Sequence, residues 1–410
     1  MKVLVFNCGS SSLKYRLISM PEETEITGGE AQRIGPKTAE PSRIIHRTGE
    51  KTETLFVDMR SHCEALVEIE KLLALDKAFA PDAFGHRVVH GGELFSSSAL
   101  ITDRSLVMLE KTKKLAPIHN PPAMEIIREC LRKYPGTPSV AVFDTAFHAT
   151  IPKHASTYCL PSKVSAKLKI KKYGFHGTSH RLVIEEASKL LKIPISEINA
   201  VSCHLGSGGA SLCAVQNGKS IDNTMGYSPL QGLVMSTRCG DLDPALAMSL
   251  LQYFNGRTFE VERFLNNKSG VLGMSGYSPD IRDILSGQAS DGNYERTQKT
   301  LEAYLWRIRK YLGSYLAVVR SPDAIIFTDT IGETIPQVRW AACTDMDAFG
   351  VKMSHSKNKD VKSLPAIISD TSSKVKILVI ATNEELAIAR DVHRLVKKNP
   401  EVNQIKEIIS

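Results

Sequence analysis

Seven ionisable side chains stand at positions where apolar segments give way to turns. Arg87 lies in "GHRVVHGG", His119 in "LAPIHNPP", Asp144 directly after "SVAVF" in "FDTAFH", and His176 in "YGFHGTSH". Arg238 occupies "MSTRCGDLDP" and Glu384 "ATNEELAIAR", while Lys14 follows Asn7, Ser10 and Ser12 near the start of the chain. Any one of them alone reads better as a cap or a surface residue. Together, two arginines, two or three histidines, a lysine and two carboxylates describe anion chemistry with a metal. Arginine grips a phosphoryl or carboxylate group through paired, charge-assisted hydrogen bonds. A carboxylate aimed at phosphate would repel it, so Asp144 and Glu384 imply either a divalent cation or the orientation of the arginines. Phosphoryl transfer needs this positioning and charge stabilisation more than covalent help.

Other chemistries find less support. There is no G-x-x-x-x-G-K-[ST] phosphate loop, and Gly206-Ser207-Gly208-Gly209 breaks the dinucleotide pattern at its last glycine position. His86…His90 and His176…His180 have the i,i+4 spacing of a metal pair, but the first falls in a strand-like run without a carboxylate and Gly177 interrupts the second, so zinc is not expected. The eight cysteines are scattered singly with no Cys-x-x-Cys, which suits small buried side chains in a reducing cytoplasm. No apolar run reaches the ~18 residues of a membrane span, and the first nine residues do not read as a signal peptide. A soluble cytoplasmic protein is expected, with neither membrane nor nucleic acid as partner. Its net charge of +8, from 52 basic and 44 acidic residues, fits a small anionic substrate. The basic stretch from Lys163 to Lys172 reads as a solvated face.

The elements that must position these residues alternate between strand-like and helix-like throughout, as in an α/β protein, and 410 residues favour two domains. Val3–Phe6, Leu13–Ser19, Ala83–Val89 and Ser139–Phe143 read as strands, and residues 60–75 as a helix. Near residue 150 the pattern restarts. "LVFNCGSSSL" and "AVSCHLGSGGASL" share one grammar, a buried strand, a polar residue and a small-residue turn, which aligns Asn7 with His204 and Gly9 with Gly206. An internal duplication is implied, each copy presenting backbone N–H groups from a tight turn, a good setting for phosphates. The first domain is expected over 1–147, completed by a C-terminal helix over 386–410, and the second over 148–385.

Nine strings, in order, resemble those of the acetate kinase family within the sugar kinase, heat-shock chaperone and actin superfamily: "VFNCGSSSLKY", "GHRVVHGGE", "LAPIHNPP", "VFDTAFH", "KYGFHGTSH", "CHLGSGG", "PLQGLVMSTRCGDLDPA", "SGVLGMSG" and "TNEELAIAR". The resemblance spans nearly the whole chain. It implies two duplicated ribonuclease-H-like domains with a central interdomain cleft, a homodimer, Mg²⁺ (or Mn²⁺), and the reversible reaction of acetate and ATP to acetyl phosphate and ADP. Arg87 and Arg238 would bind the carboxylate and the phosphoryl in transit, and His176 would donate to its equatorial oxygens. Asp144 would align an arginine or help place the metal, and Glu384 with Asn7 would hold the ion, directly or through water. Ser10, Ser12, Lys14, His204, Gly206 and Gly208 would line the phosphate path, with His119 in support. Val89, Ile118, Phe175 and Pro229 correspond to the apolar pocket for the acetate methyl. Asp280, Arg282, Ile331 and Gly332 correspond to the nucleotide contacts.

The chain also departs from the pattern. Where the family carries "F-T-[GA]-G-I-G-E-N", this sequence reads "FTDTIGET", so Asp329 and Thr330 replace small residues and Thr334 an asparagine. Ser207, Gln231 and Cys8 stand where asparagine, glutamate and alanine are usual. These changes fall on the nucleotide side, which predicts weakened nucleotide affinity, an altered phosphoryl donor or neutral drift. A propionate or butyrate kinase and a non-catalytic nucleotide or acyl-phosphate sensor are the alternatives.

Overall fold

The segment KVLVFNC is buried from Val3 to Cys8 and forms β1 (Lys2–Cys8). A run buried on both faces belongs at the centre of a sheet covered by helices. In this computed structural model, which describes residues 1–36, 40–117, 119–287 and 294–399, β1 does lie there. The first sheet adds β2 (Ser12–Ser19), β3 (Thr24–Gln32), β4 (Arg43–Thr48), β5 (Lys51–Phe56), β6 (Ala83–Val88), β7 (Ala99–Leu100) and β8 (Ser139–Phe143). Its order is β5-β4-β3-β2-β1-β6-β8-β7. The second sheet holds β9 (Ala200–Leu205), β10 (Ala210–Gln216), β11 (Lys219–Asn223), β12 (Ala324–Thr328), β13 (Ala366–Ile367) and β14 (Lys376–Val379), in the order β11-β10-β9-β12-β14-β13.

The two sheets repeat one plan. β3-β2-β1-β6-β8-β7 and β11-β10-β9-β12-β14-β13 run antiparallel, antiparallel, parallel, parallel, antiparallel in turn. The hairpin turns match as well. Gly9 N–H donates to Ser12 O at 2.9 Å, and Gly206 N–H donates to Gly209 O at 3.0 Å. The first sheet extends the shared plan by β4 and β5, where the sequence reading placed no strand.

Among the described residues the chain divides into two compact units, Met1–Ala146 with residues 383–399, and Phe147–Thr382. In the first, the helices His62–Leu73 and Asn120–Lys133 cover one face of the sheet around Leu4, Phe6, Leu66, Ile69, Met124 and Ile127. The helix Glu384–Lys398 covers the other, setting Ile388, Ala389, Val392 and Val396 against Val3, Val5, Val140 and Val142. Gly85 permits that approach, because a β-carbon there would meet Ile388 Cγ2 at 2.6 Å. The structure starts this helix at Glu384 rather than 386, because the Asn383 side chain accepts the Leu386 N–H at 3.1 Å and caps it. Glu384 therefore belongs to the first unit, not to the segment 148–385. Of the expected helix over 386–410, residues 400–410 lie outside the described residues. In the second unit the helix Gly177–Leu191 packs Val183, Ile184 and Ala187 on Ala200, Val215 and Ile326.

Two buried histidines give the fold a pH dependence. Burial holds His86 down to about 3 from an ordinary 6.5. Burial also lowers His148, to about 4, against the opposing hydrogen bond with the Phe175 carbonyl. Below 6.5 the unfolded chain takes up protons that these rings refuse while folded. Their contribution is therefore complete above pH 6.5 and declines by roughly 1.4 kcal/mol per pH unit and per ring as pH falls towards those values. Urea midpoints measured from pH 7 to 4.5 are expected to fall less steeply for His86→Phe than for the parent. Parallel slopes would show that His86 makes no such contribution.

Candidate active site

In the first unit, parallel neighbours β6 and β8 end on the same side, and each delivers a charged residue there. Arg87, on β6, donates from Nε to Asp144 Oδ1 at 3.0 Å and from Nη2 to Oδ2 at 2.6 Å. Its Nη1 donates to Asn7 Oδ1, at the end of β1, at 2.9 Å. Asn7 Nδ2 in turn donates to Glu384 Oε2 at 3.3 Å and Glu385 Oε1 at 3.2 Å. Asp144 is 1% exposed. Burial disfavours the Arg87 charge, but Asp144, Glu384 and Glu385 outweigh it and raise its pKa. The guanidinium is thus locked in charge and orientation, with 18% of its side chain open to a ligand.

The predicted phosphate residues of this unit lie on the hairpin of β1 and β2 and at the start of a helix. Lys14 is exposed and pairs across the hairpin with Asn7, Ser10 is exposed on the turn, and the Ser12 carbonyl closes the turn. His119 precedes the helix Asn120–Lys133. Asn120, which sequence reasoning passed over, ties this corner to the end of β6, since its Nδ2 donates to His90 O at 2.9 Å and its Oδ1 accepts from His90 N at 3.1 Å. Val89 is buried beside that link, and Ile118 lies outside the described residues.

The second unit builds its group around the Gly206–Gly209 turn. His176 sits in the left-handed region (φ 57°) at the N-terminus of its helix, and its Nδ1 is 2.9 Å from Ser211 Oγ. A β-carbon at Gly209 would meet Arg238 Nη1 at 3.3 Å and His176 Nε2 at 3.4 Å, so both side-chain tips converge on that glycine. The His204 ring lies against His176 with centroids 4.2 Å apart, and its Nδ1 is 2.8 Å from Ser179 Oγ. Gly208 faces open space.

Several supports were not legible in the sequence. His148 bridges Ser220 Oγ and Phe175 O, both at 2.8 Å, and props the turn carrying Phe175 and His176. The Arg238 loop rests on the start of the helix Gly270–Ser275. There Val271 N donates to Met235 O, and a β-carbon at Gly270 (φ 60°) would lie 2.2 Å from that carbonyl. Arg339, 1% exposed, donates to Gly332 O, Glu333 O and both oxygens of Asn358, which fixes the segment 329–334. A buried arginine that meets four acceptors gives no signal in a single sequence.

Among the remaining expected residues, Phe175 is buried, and the Pro229 carbonyl accepts from Arg238 Nη1 at 3.3 Å. Ile331 and Gly332 are buried in the short helix Asp329–Thr334. Asp280 caps the helix Ile281–Leu285 and pairs with the partly exposed Arg282, so each satisfies the other. Cys8 is 4% exposed and burial pushes its thiol up to about 12, which makes it a small apolar side chain. Gln231 accepts from Tyr158 Oη at 2.6 Å.

The sequence model of the Acetokinase family matches residues 2–390. The chain belongs to the acetokinase family. An acetate kinase of Dictyoglomus thermophilum is 43% identical over 405 residues, covering 97% of this chain and 100% of its own. Among solved structures, the acetate kinase of Porphyromonas gingivalis superposes with a TM-score of 0.88 at 36% identity, covering 96% of this chain and 99% of its own. A propionate kinase of Francisella tularensis gives 0.87 at 36% identity, covering 95% and 98%. The resemblance read from the nine strings and the α/β, two-unit architecture are borne out. So is the reading of this acetokinase as an enzyme, an acetate kinase, and the sensor alternative is not favoured. Among the described residues no helix is long and apolar enough to cross a membrane.

Proposed function

We propose that this acetokinase moves the terminal phosphoryl group of ATP directly to a carboxylate oxygen of acetate, reversibly, with Arg87, Asp144, His176 and Arg238 as its catalytic group. The acetate oxygen forms the new P–O bond while the bond from phosphorus to the bridging oxygen of ADP breaks, and ADP leaves with that electron pair. Acetate is ionised at neutral pH, so no general base is needed. The barrier is repulsion between anions, and fixed cationic donors lower it most where charge spreads over the phosphoryl oxygens. The observation that carries this reading is the Arg87 guanidinium, held on two edges by Asp144 and Asn7 on a side chain that stays 18% exposed. His176, turned through Ser211 so that Nε2 faces Gly209, is the second fixed donor, and Arg238 the third.

The donor set also suits a hard cation. Mg²⁺ or Mn²⁺ takes one or two carboxylates and fills its remaining positions with water and phosphate oxygen. Glu384, with Asn7 and Glu385 hydrogen-bonded beside it, offers that number of oxygen donors. Bound there, the ion would neutralise phosphate charge. Ser10, Ser12, Lys14, His119, His204, Gly206 and Gly208 line the phosphate path in this reading. Val89, Ile118, Phe175 and Pro229 receive the methyl group, and Asp280, Arg282, Ile331 and Gly332 meet the nucleotide. Eight free thiols support work in the cytoplasm. The test is formation of acetyl phosphate, trapped with hydroxylamine, from acetate, ATP and Mg²⁺, with propionate and butyrate as comparison acceptors. No trapped product from folded protein would refute the reading.

The working form in this proposal is a homodimer. The helices Pro244–Tyr253 and Thr258–Asn267 bury no residue, and Leu246, Met248, Tyr253 and Phe259 are 50–77% exposed. An apolar cavity of about 630 Å³, lined by Tyr158, Leu168, Ile170, Leu230, Leu242 and Pro244, adjoins the first of these helices. An apolar face of this kind calls for a partner, and a second copy supplies an equally apolar one. Sedimentation is expected to give twice the chain mass, falling to one chain for Leu246→Glu, Met248→Glu. A monomeric parent at micromolar concentration would refute this assembly.

A further inference from the structure

The anion seat of the second unit already holds an anion. Asp329 Oδ2 lies 3.0 Å from His204 Nε2, and it fills the space over Gly206, where a β-carbon would stand 2.3 Å from that same oxygen. Its other oxygen accepts from Thr330 N at 2.6 Å and Thr330 Oγ1 at 3.0 Å, which holds the carboxylate in this pose. The backbone of the loop has a second support besides that side chain. Asp329 N donates to Glu333 Oε1 at 2.8 Å, and the same oxygen accepts Thr382 N at 2.7 Å, which joins the exits of β12 and β14. Asp329 has φ 65°, the left-handed region in which glycine is the least strained residue. A side chain is thus carried at a position that suits glycine, and it is aimed at the histidine of the phosphate turn.

We propose that Asp329 is a resident anion which competes with the phosphate chain of the nucleotide for His204 and the Gly206–Gly209 turn, and thereby sets nucleotide affinity. The proposal rests on the assignment of that turn to phosphate. A nucleoside di- or triphosphate that enters must displace the carboxylate from His204 or bind beside a like charge, and either lowers its affinity. Acetate carries no phosphate chain and escapes this competition.

The test uses the full-length protein, with Asp329→Gly removing the side chain and Asp329→Asn keeping its shape without charge. Calorimetric ADP affinity is expected to rise about tenfold for Asp329→Gly and by a smaller factor for Asp329→Asn. The KM for ATP is expected to fall in parallel and the KM for acetate to stay within twofold. Gly relieves the backbone at φ 65° but leaves Thr330 N without its Asp329 partner, so a retained thermal midpoint in Asp329→Asn, which keeps an acceptor oxygen, separates loss of competition from damage to the loop. Unchanged ADP affinity in both variants overturns the proposal, as does an equal shift for acetate. The binding arm also separates this inference from the assigned reaction. A parent that traps no acetyl phosphate while its Asp329→Gly variant gains ADP binding would refute the reaction and keep the competing anion.

Discussion

Replacing Arg238 with alanine is expected to lower acetyl phosphate formation by about 10²- to 10³-fold while leaving the protein folded. That factor is typical for loss of one fixed donor to a charge-accumulating transition state. The two outcomes separate because different atoms carry them. The loop is held by backbone bonds to the helix that starts at Gly270, and these survive truncation of the side chain. The guanidinium donates to the Pro229 carbonyl and lies against Met235 Sδ, contacts that would be lost with it. Thermal midpoints should therefore move little. Arg238→Lys should recover part of the rate, since it restores charge without the planar fork. A folded Arg238→Ala enzyme with near-parental turnover would remove this arginine from the catalytic group.

Truncation of Asp144 should be the most damaging single change, because stability and rate depend on the same pair. Asp144 is almost fully buried and gives both oxygens to Arg87. Without it a largely buried guanidinium keeps Asn7 and, at 3.7 Å, Glu384. Removing one partner of a buried ion pair typically costs about 3–5 kcal/mol. Asp144→Ala should accordingly lower the chemical-denaturation midpoint of the first unit and also reduce turnover by about 10²-fold or more. Arg87→Ala, Asp144→Ala together should be less destabilised than the sum of the single changes, which a double-mutant cycle reads directly. Additive losses would mean that the two side chains act independently.

The parts of the fold and site that could be read from the sequence are those whose signal is local. β1, β2, β6 and β8 announce themselves by continuous or alternating apolar runs, and Arg87, Asp144 and His176 by standing where such runs stop. The shared grammar around Gly9 and Gly206 pointed to repetition because a turn is specified by a few adjacent residues. β5 escaped notice since all six of its residues are exposed, leaving no apolar period to detect. Side chains whose purpose is a distant partner were equally silent. His148 finds Phe175, Asn120 finds His90 and Arg339 finds Asn358 only after the chain has folded. Asp329 could be flagged as bulk and charge in a nucleotide loop, but its pairing with His204 is a fact of tertiary geometry.

The helix Glu384–Lys398 has a consequence for how this protein is made. Its apolar stripe covers one face of a sheet whose strands were synthesised first. While the ribosome still holds those last residues, Val3, Val5, Val140 and Val142 face water, and a nascent first unit remains open to aggregation or to a holding chaperone. The same late segment delivers Glu384 to Asn7. A chain stalled before residue 384 is thus both sticky and without that carboxylate.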